Sequence, residues 1–341
     1  MAVASPHAVQ RAGCPPLIAA MSRPLLVILL SIAGAGSIVL ALVVGTYPIS
    51  VLQVIETIVA PAPGVVHDVV WQLRAPRVLA AFACGGLLAL AGALLQVLLR
   101  NALADPYVLG VSGGAALGAL VAMLLGAGDT GVSFLALAGA LGSIVVVFGL
   151  TFRGGDWNVY RLLLTGVVLS AGLSACVSLI LVLAPQAQVK GMLFWLMGDL
   201  AYAGSPVYAW LILAVLTALA VAQGIRLDLL AAGELKALSL GVAVTPLKLA
   251  VFFGAALATA AAVTLGGAIG FVGLMAAHAV RLLGVSHHRA LLPLAVLLGG
   301  SLITLADTAA RTAWAPQQLP VGVLIALVGV PAMLWLLGRR N

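Results

Sequence analysis

The sequence predicts an all-α polytopic membrane protein, with ten transmembrane helices and both termini in the cytoplasm. Its composition is the first reason. Of 341 residues, 64% are hydrophobic and 7% charged, and the mean hydropathy is +1.25, a balance that soluble domains do not reach. The second reason is a series of long runs without Asp, Glu, Lys or Arg, and the third is the asymmetric placement of Lys and Arg between those runs. In lipid every backbone group must find an internal partner, so runs of this length without a period-two pattern are helices rather than barrel strands.

The runs define the spans in order. Pro24 to Ile55 holds a first helix over 25–45, and Val78 to Leu99 a second over 78–99. At 1.5 Å per residue the latter is ~33 Å long, close to the ~30 Å of a bilayer's hydrocarbon core. The polar turn RNALADP, Arg100 to Pro106, closes a hairpin with a third span over 108–126. Charge-free runs then place helices over 131–152, 161–184 and 206–225. Leu249 to Val280 would make a single helix of ~48 Å, too long for one crossing. Gly266, Gly267 and Gly270 favour a break, giving spans over 246–265 and 268–284. Two more, over 290–308 and 320–338, complete the set. Residues 1–22 read as a disordered cytoplasmic tail with no secretory signal, and 23–341 as the transmembrane domain.

Charge placement supports this count. With the amino terminus inside, twelve Lys and Arg face the cytoplasm and only Arg74, Arg77, Lys190 and Arg311 face out. Treating 249–280 as one span would reduce the bias to nine against seven, and positive residues concentrate inside. The net charge of +7 therefore reflects topology, and no nucleic-acid partner is expected.

Several function classes lose support. No Asp, Glu, Lys or Arg falls near the middle of a span, whereas ion-coupled carriers commonly use such groups. No cluster of Asp, Glu or His at one membrane level suggests an embedded enzyme. Gly-Lys does not occur, so there is no Walker A loop, and there is no HExxH pair. Cys14, Cys84 and Cys176 lack CxxC spacing, which supports neither a disulfide framework nor a metal site. No cofactor is expected on this chain, and energy from ATP and Mg would have to be handled by another subunit.

One cytoplasmic segment is suited to receive that subunit. Residues 227–242 alternate leucines with Asp228, Glu234, Lys236 and Ser239, and Gly233 divides them. They read as two short amphipathic helices that either lie in the lipid interface or dock into a partner.

The blocks LRAPRVLAA (73–81), LLRNALADPYVLGVSGGAALGA (98–119), FWLMGDL (194–200), LDLLAAGELKALSLGV (227–242), GGAIGFVGLMAAHAVRLL (266–283), HRALLPLAVLLGGSLITLADTAAR (288–311) and LPVGVLIALVGVPAMLWLL (319–337) resemble the permease subunits of type II ABC importers. That family takes up iron-siderophore complexes, haem and cobalamin. The resemblance implies a homodimer in the bacterial inner membrane, with the cargo path on its two-fold axis. It also implies two ATPase subunits and a periplasmic substrate-binding protein, with iron chelate or haem ranked ahead of cobalamin as cargo. Arg74, Arg77 and Arg311 match the docking positions for the binding protein. Their competing role is interfacial anchoring, with Asp307 a local ion partner for Arg311. Leu227, Asp228, Leu230, Gly233, Glu234, Leu238 and Gly241 match the ATPase-coupling segment. Asn101, Leu103 and Asn158 match a cytoplasmic gate, or serve ordinary turn chemistry. Ser170, Ser174 and Ser178 repeat every four residues on one helix face, which faces the path or bonds a neighbouring helix. Where family members often carry proline, this chain has Ala102, Ala268 and Ala277. His278, His287 and His288 fall toward the cytoplasm, the last two in a solvated loop, and His67 is the histidine placed to meet cargo.

Overall fold

A computed structural model describes residues 23–152, 158–201 and 203–338. The tail expectation for 1–22, Arg11, Cys14, Arg153, Arg339 and Arg340 lie outside them. The described residues form helices without strands: α1 (Arg23–Val43), α2 (Val51–Val59), α3 (Val65–Asp68), a π-helical stretch Val69–Arg74, α4 (Ala75–Leu98), a 3₁₀ turn Pro106–Leu109, α5 (Val111–Leu124), α6 (Asp129–Thr151), α7 (Val159–Leu183), α8 (Gln186–Met197), α9 (Val207–Ala222), α10 (Gly224–Ala231), α11 (Glu234–Ser239), α12 (Val244–Gly266), α13 (Val272–Leu282), α14 (His288–Thr312) and α15 (Val321–Gly338).

Among these, six helical segments are long and apolar enough to cross a membrane: 24–43, 65–98, 129–151, 159–183, 244–266 and 288–312. The pair α9–α10, bent by 67°, makes a seventh when taken together. Three predicted spans are shorter helices, Val111–Leu124, Val272–Leu282 and Val321–Trp335. The third span is expected to start at 108, but Asp105 caps a 3₁₀ turn at Pro106 and α5 starts only after Gly110.

The bundle is built around α4, which is buried along nearly its whole length and packs against α12, α13 and α14. Small residues make this possible. A Cβ at Gly85 would collide with the Gly299 carbonyl of α14, and one at Gly92 with the Gly273 carbonyl of α13. The α5–α6 pair uses the same device: Gly114 abuts Gly139, and Gly118 abuts the Leu135 carbonyl. Without a hydrophobic drive between helices in lipid, this close backbone approach supplies the packing attraction. The GxxxG-like spacing of Gly114 and Gly118 is thus a helix-packing feature.

The glycine break is also present, and it reverses the chain. Cys84 of α4 lies 3.5 Å from the Ala262 carbonyl, and Leu94 approaches Gly254, so α12 runs antiparallel to α4. Gly273 meets Leu88 and Gly92, and Arg281 bonds Gln96, so α13 runs parallel to it. Gly267 makes the turn with φ 68° and ψ −158°, a conformation open to glycine and costly for other residues. Proline at 268 is therefore not needed for the break.

Candidate functional site: a coupling hairpin and an arginine cluster at opposite ends of the bundle

Polar groups gather at the two ends of α4. At the Leu98 end, α10 and α11 form the helical pair expected from the sequence. Gly233, with φ 128°, separates them, and Gly241, with φ 80°, closes the second. One face of the pair is bonded to the bundle. Leu227 and Leu230 are fully buried. Asp228 accepts the His288 backbone N–H at 2.9 Å and pairs with the His288 ring at 2.5 Å, with His287 at 3.3 Å. Glu234 meets Lys248 of α12 at 2.6 Å and Arg100 at 3.9 Å. The other face is open: Leu235 is 85% exposed, and Leu238 and Leu240 are also exposed.

This geometry sorts the residues expected to couple to an ATPase. Leu227, Asp228, Leu230 and Glu234 hold the hairpin in place, while Leu238 faces outward with Leu235 and Leu240. Sequence reasoning missed the last two; the leucines separated by Lys236 and Ser239 were the available signal. His288 corrects the solvated-loop expectation. It is buried and ties the first turn of α14 to α10, whereas His287 stays largely exposed.

Burial alone would raise the Asp228 carboxyl, but the hydrogen bonds from the His288 backbone and ring outweigh it and hold the group below the usual carboxylate range. A carboxyl depressed in the fold contributes stability above its unfolded value and loses it as pH falls through the folded value. The stability gap between the native chain and Asp228→Asn is therefore expected at pH 7 and to close below about pH 4. Thermal unfolding of both proteins across that range checks this, and a pH-independent gap would contradict it.

At the Ala75 end, the three arginines read as docking positions converge and are held by groups within the bundle. Arg74 is 4% exposed and donates to the Leu42 and Val43 carbonyls at 2.6 and 2.9 Å and to that of Tyr47. It closes the carboxyl end of α1, where carbonyls lack helical partners. Arg77 grips Asp307 of α14, with Nη2 at 2.8 Å and Nε at 3.0 and 3.1 Å, and donates to Gln318 at 3.0 Å. Asp199 lies 4.0 Å away. Arg311 bonds the Ala41 carbonyl and sits 3.9 Å from Asp307. The Asp307 carboxylate thus serves chiefly Arg77, not the sequence neighbour Arg311, because α4 packs directly along α14.

The gate and path residues have local explanations. Asn101 accepts the Leu103 N–H at 2.9 Å, and Asn158 caps α7 by accepting the N–H groups of Tyr160 and Arg161. Leu103 is exposed. Along α7, Ser174 and Ser178 are exposed and Ser170 half-buried, and Ser178 donates to the Ser174 carbonyl at 2.9 Å. Ser174 and Ser178 therefore face away from the bundle, whereas Ser170 lies against Gly110.

The family model for the FecCD transport family matches residues 29–339. The chain belongs to the FecCD transport family. Among curated relatives, the vitamin B12 import system permease protein BtuC of Escherichia coli O157:H7 (strain EC4115 / EHEC) is 38% identical over 273 residues, covering 79% of this chain and 83% of the relative. Its counterpart in Shigella sonnei (strain Ss046) is 37% identical over the same coverage. A solved structure described as a metal-chelate type ABC transporter in an inward-facing conformation is 30% identical, with a TM-score of 0.79, covering 94% of this chain and all of the other.

As a FecCD family permease, the chain is a type II ABC importer subunit, as its sequence blocks imply. Relatives of this kind, together with the apolar helices, make it a multi-pass inner-membrane protein. Family permeases of this kind work with separate ATPase subunits.

Proposed function

We propose that this chain is the membrane subunit of a binding-protein-dependent importer of a metal chelate, with cobalamin as the first candidate cargo. The observation that carries the reading is the α10–α11 hairpin. Asp228 and Glu234 bind it to the bundle while Leu235, Leu238 and Leu240 stay open. A rigidly held apolar surface on a short helix suits insertion into a groove of an ATPase subunit. This favours docking over lipid contact for that segment.

The names of the relatives move cobalamin ahead of the haem and siderophore cargo that sequence reasoning ranked first, while the metal-chelate structural relative keeps iron chelates as the second reading. In this proposal two copies pair, each bound by an ATPase subunit that holds ATP and Mg, and this chain itself carries no hydrolytic site. Ten crossings account for the helices: the six long ones, α9, from which α10 turns away by 67°, and the three shorter apolar ones. Reversal of direction between α12 and α13 supports that count. The hairpin end then faces the cytoplasm with both termini. The arginine end faces outward, where three guanidiniums against Asp307 and Asp199 leave a net positive field that steers an acidic binding protein. Asn101, Leu103 and Asn158 lie at the cytoplasmic mouth and Ser170, Ser174 and Ser178 on the path.

Cargo is tested by competition. Proteoliposomes holding the permease, its ATPase and its binding protein are given labelled cobalamin with an excess of unlabelled cobalamin, haem or ferric siderophore. Displacement by cobalamin alone is the expected result; uptake of a ferric chelate with no cobalamin uptake would replace the first cargo by the second.

A further inference from the structure

Between α1 and α3 the chain forms α2, a nine-residue helix lying between the first two expected spans. Ser50 starts it with a capping box, its side chain accepting the Gln53 N–H while the Gln53 side chain accepts the Ser50 N–H. At 100° per residue, its positions fall into three faces. Val54 and Thr57 point into the protein and are buried beside Leu42 and Val70. Gln53 and Glu56 form a polar face, and Glu56 borders a cleft of about 330 Å³ that His67 also lines. The third face is aliphatic, and Leu52 is 70% and Val59 77% exposed, with Ile55 half exposed between them.

The height of α2 follows from its neighbours. Arg74 reaches the last carbonyls of α1, and Trp71, three residues earlier in the same π-helical stretch, donates to the Thr57 carbonyl at 3.2 Å. The helix therefore lies just beyond the end of α1, at the level where a span of about 30 Å leaves the hydrocarbon. Trp71 and Tyr47 are partly exposed at this height, where interfacial aromatics concentrate.

We propose that α2 is a membrane-interface helix whose aliphatic face rests in the headgroup–acyl boundary of the outer leaflet. The inference rests on the reading that the bundle crosses a membrane. Its occupant is lipid because α2 follows α1, whose Val39 and Leu40 are likewise exposed aliphatics, and the exposed Tyr47 and Trp71 lie at the same level. Because Glu56 is the single charged residue on α2, attachment comes from buried apolar area and not from anionic headgroups. With Arg74 locking the α1–α2 connection, α2 fixes how deep the arginine cluster sits below the outer surface.

The test uses the full chain in lipid nanodiscs, with Cys14, Cys84 and Cys176 replaced by alanine and an environment-sensitive fluorophore placed at L52C, I55C, E56C or, on α1, I32C. Lipids carrying a nitroxide near the headgroup are expected to quench the labels at 52 and 55 several-fold more than lipids carrying it deep in the chain. The label at 56 should emit as in water, and the label at 32 should favour the deep quencher. Changing the anionic lipid fraction should leave this pattern unaltered. Water-like emission at 52 and 55 with normal quenching at 32 would overturn the inference alone. So would labels at 52 and 55 hidden from water and from both quenchers, which would mean that a second copy or another protein covers α2. Loss of quenching at 32 as well would overturn the membrane reading beneath it.

Discussion

Asp307→Ala is expected to destabilise the protein by about 3–5 kcal/mol, the cost of leaving buried cations without their counter-ion. Asp307 is 2% exposed and accepts from two nitrogens of Arg77, with Arg311 close by. Once the carboxylate is gone, Arg77 retains Gln318 and the more distant Asp199, neither of which replaces a bidentate ion pair. Asp307→Asn keeps the shape and one acceptor oxygen, and should fall between the two. Asp199→Asn, 4.0 Å from Arg77, should cost much less. Unfolding midpoints in detergent, with ligand-free protein, give the order directly. A loss from Asp307→Ala no greater than that from Asp199→Asn would show that the α4–α14 contact does not depend on this pair.

The second large effect is on coupling. Leu235→Asp and Leu238→Asp place charge on the open face of the hairpin, and each is expected to weaken ATPase binding by about 2 kcal/mol, roughly 30-fold. The fold should be unaffected, because both side chains are exposed. Leu227→Ala acts oppositely. Its side chain is 1% exposed, so its loss leaves a cavity and costs about 2–5 kcal/mol of stability. Pull-down of the ATPase alongside a thermal midpoint separates the two classes. Normal ATPase binding by both charged variants would move the docking surface elsewhere.

What was legible in the sequence was what is local. Charge-free runs, the RNALADP turn, the division at Gly233 and the break near Gly267 each depend on residues close in the chain, and each appears in the structure. Partnerships across the bundle were not legible. Arg77 and Asp307 are 230 positions apart, and nothing in the alternation of hydrophobic residues pairs them. Arg74 is satisfied by carbonyls of the α1 terminus, groups that every residue carries and no sequence pattern marks. His288 resembled its neighbour His287 until the fold brought Asp228 against both and buried only His288. The length of α13 was overestimated because apolar loop residues from Ala268 to Phe271 are indistinguishable in hydropathy from helix. α2 escaped notice for a similar reason: it continues the apolar run of α1, and only its three-faced wheel sets it apart.

The central claim is that this permease works through a hairpin gripped by an ATP-driven partner. Its most direct test is uptake of labelled cobalamin or ferric chelate into proteoliposomes that hold the permease, its ATPase and its binding protein, with and without internal ATP. The expected result is uptake that requires ATP and the binding protein and is abolished by Leu235→Asp together with Leu238→Asp. Uptake that proceeds without ATP, driven by an ion gradient and indifferent to the hairpin substitutions, would contradict the account.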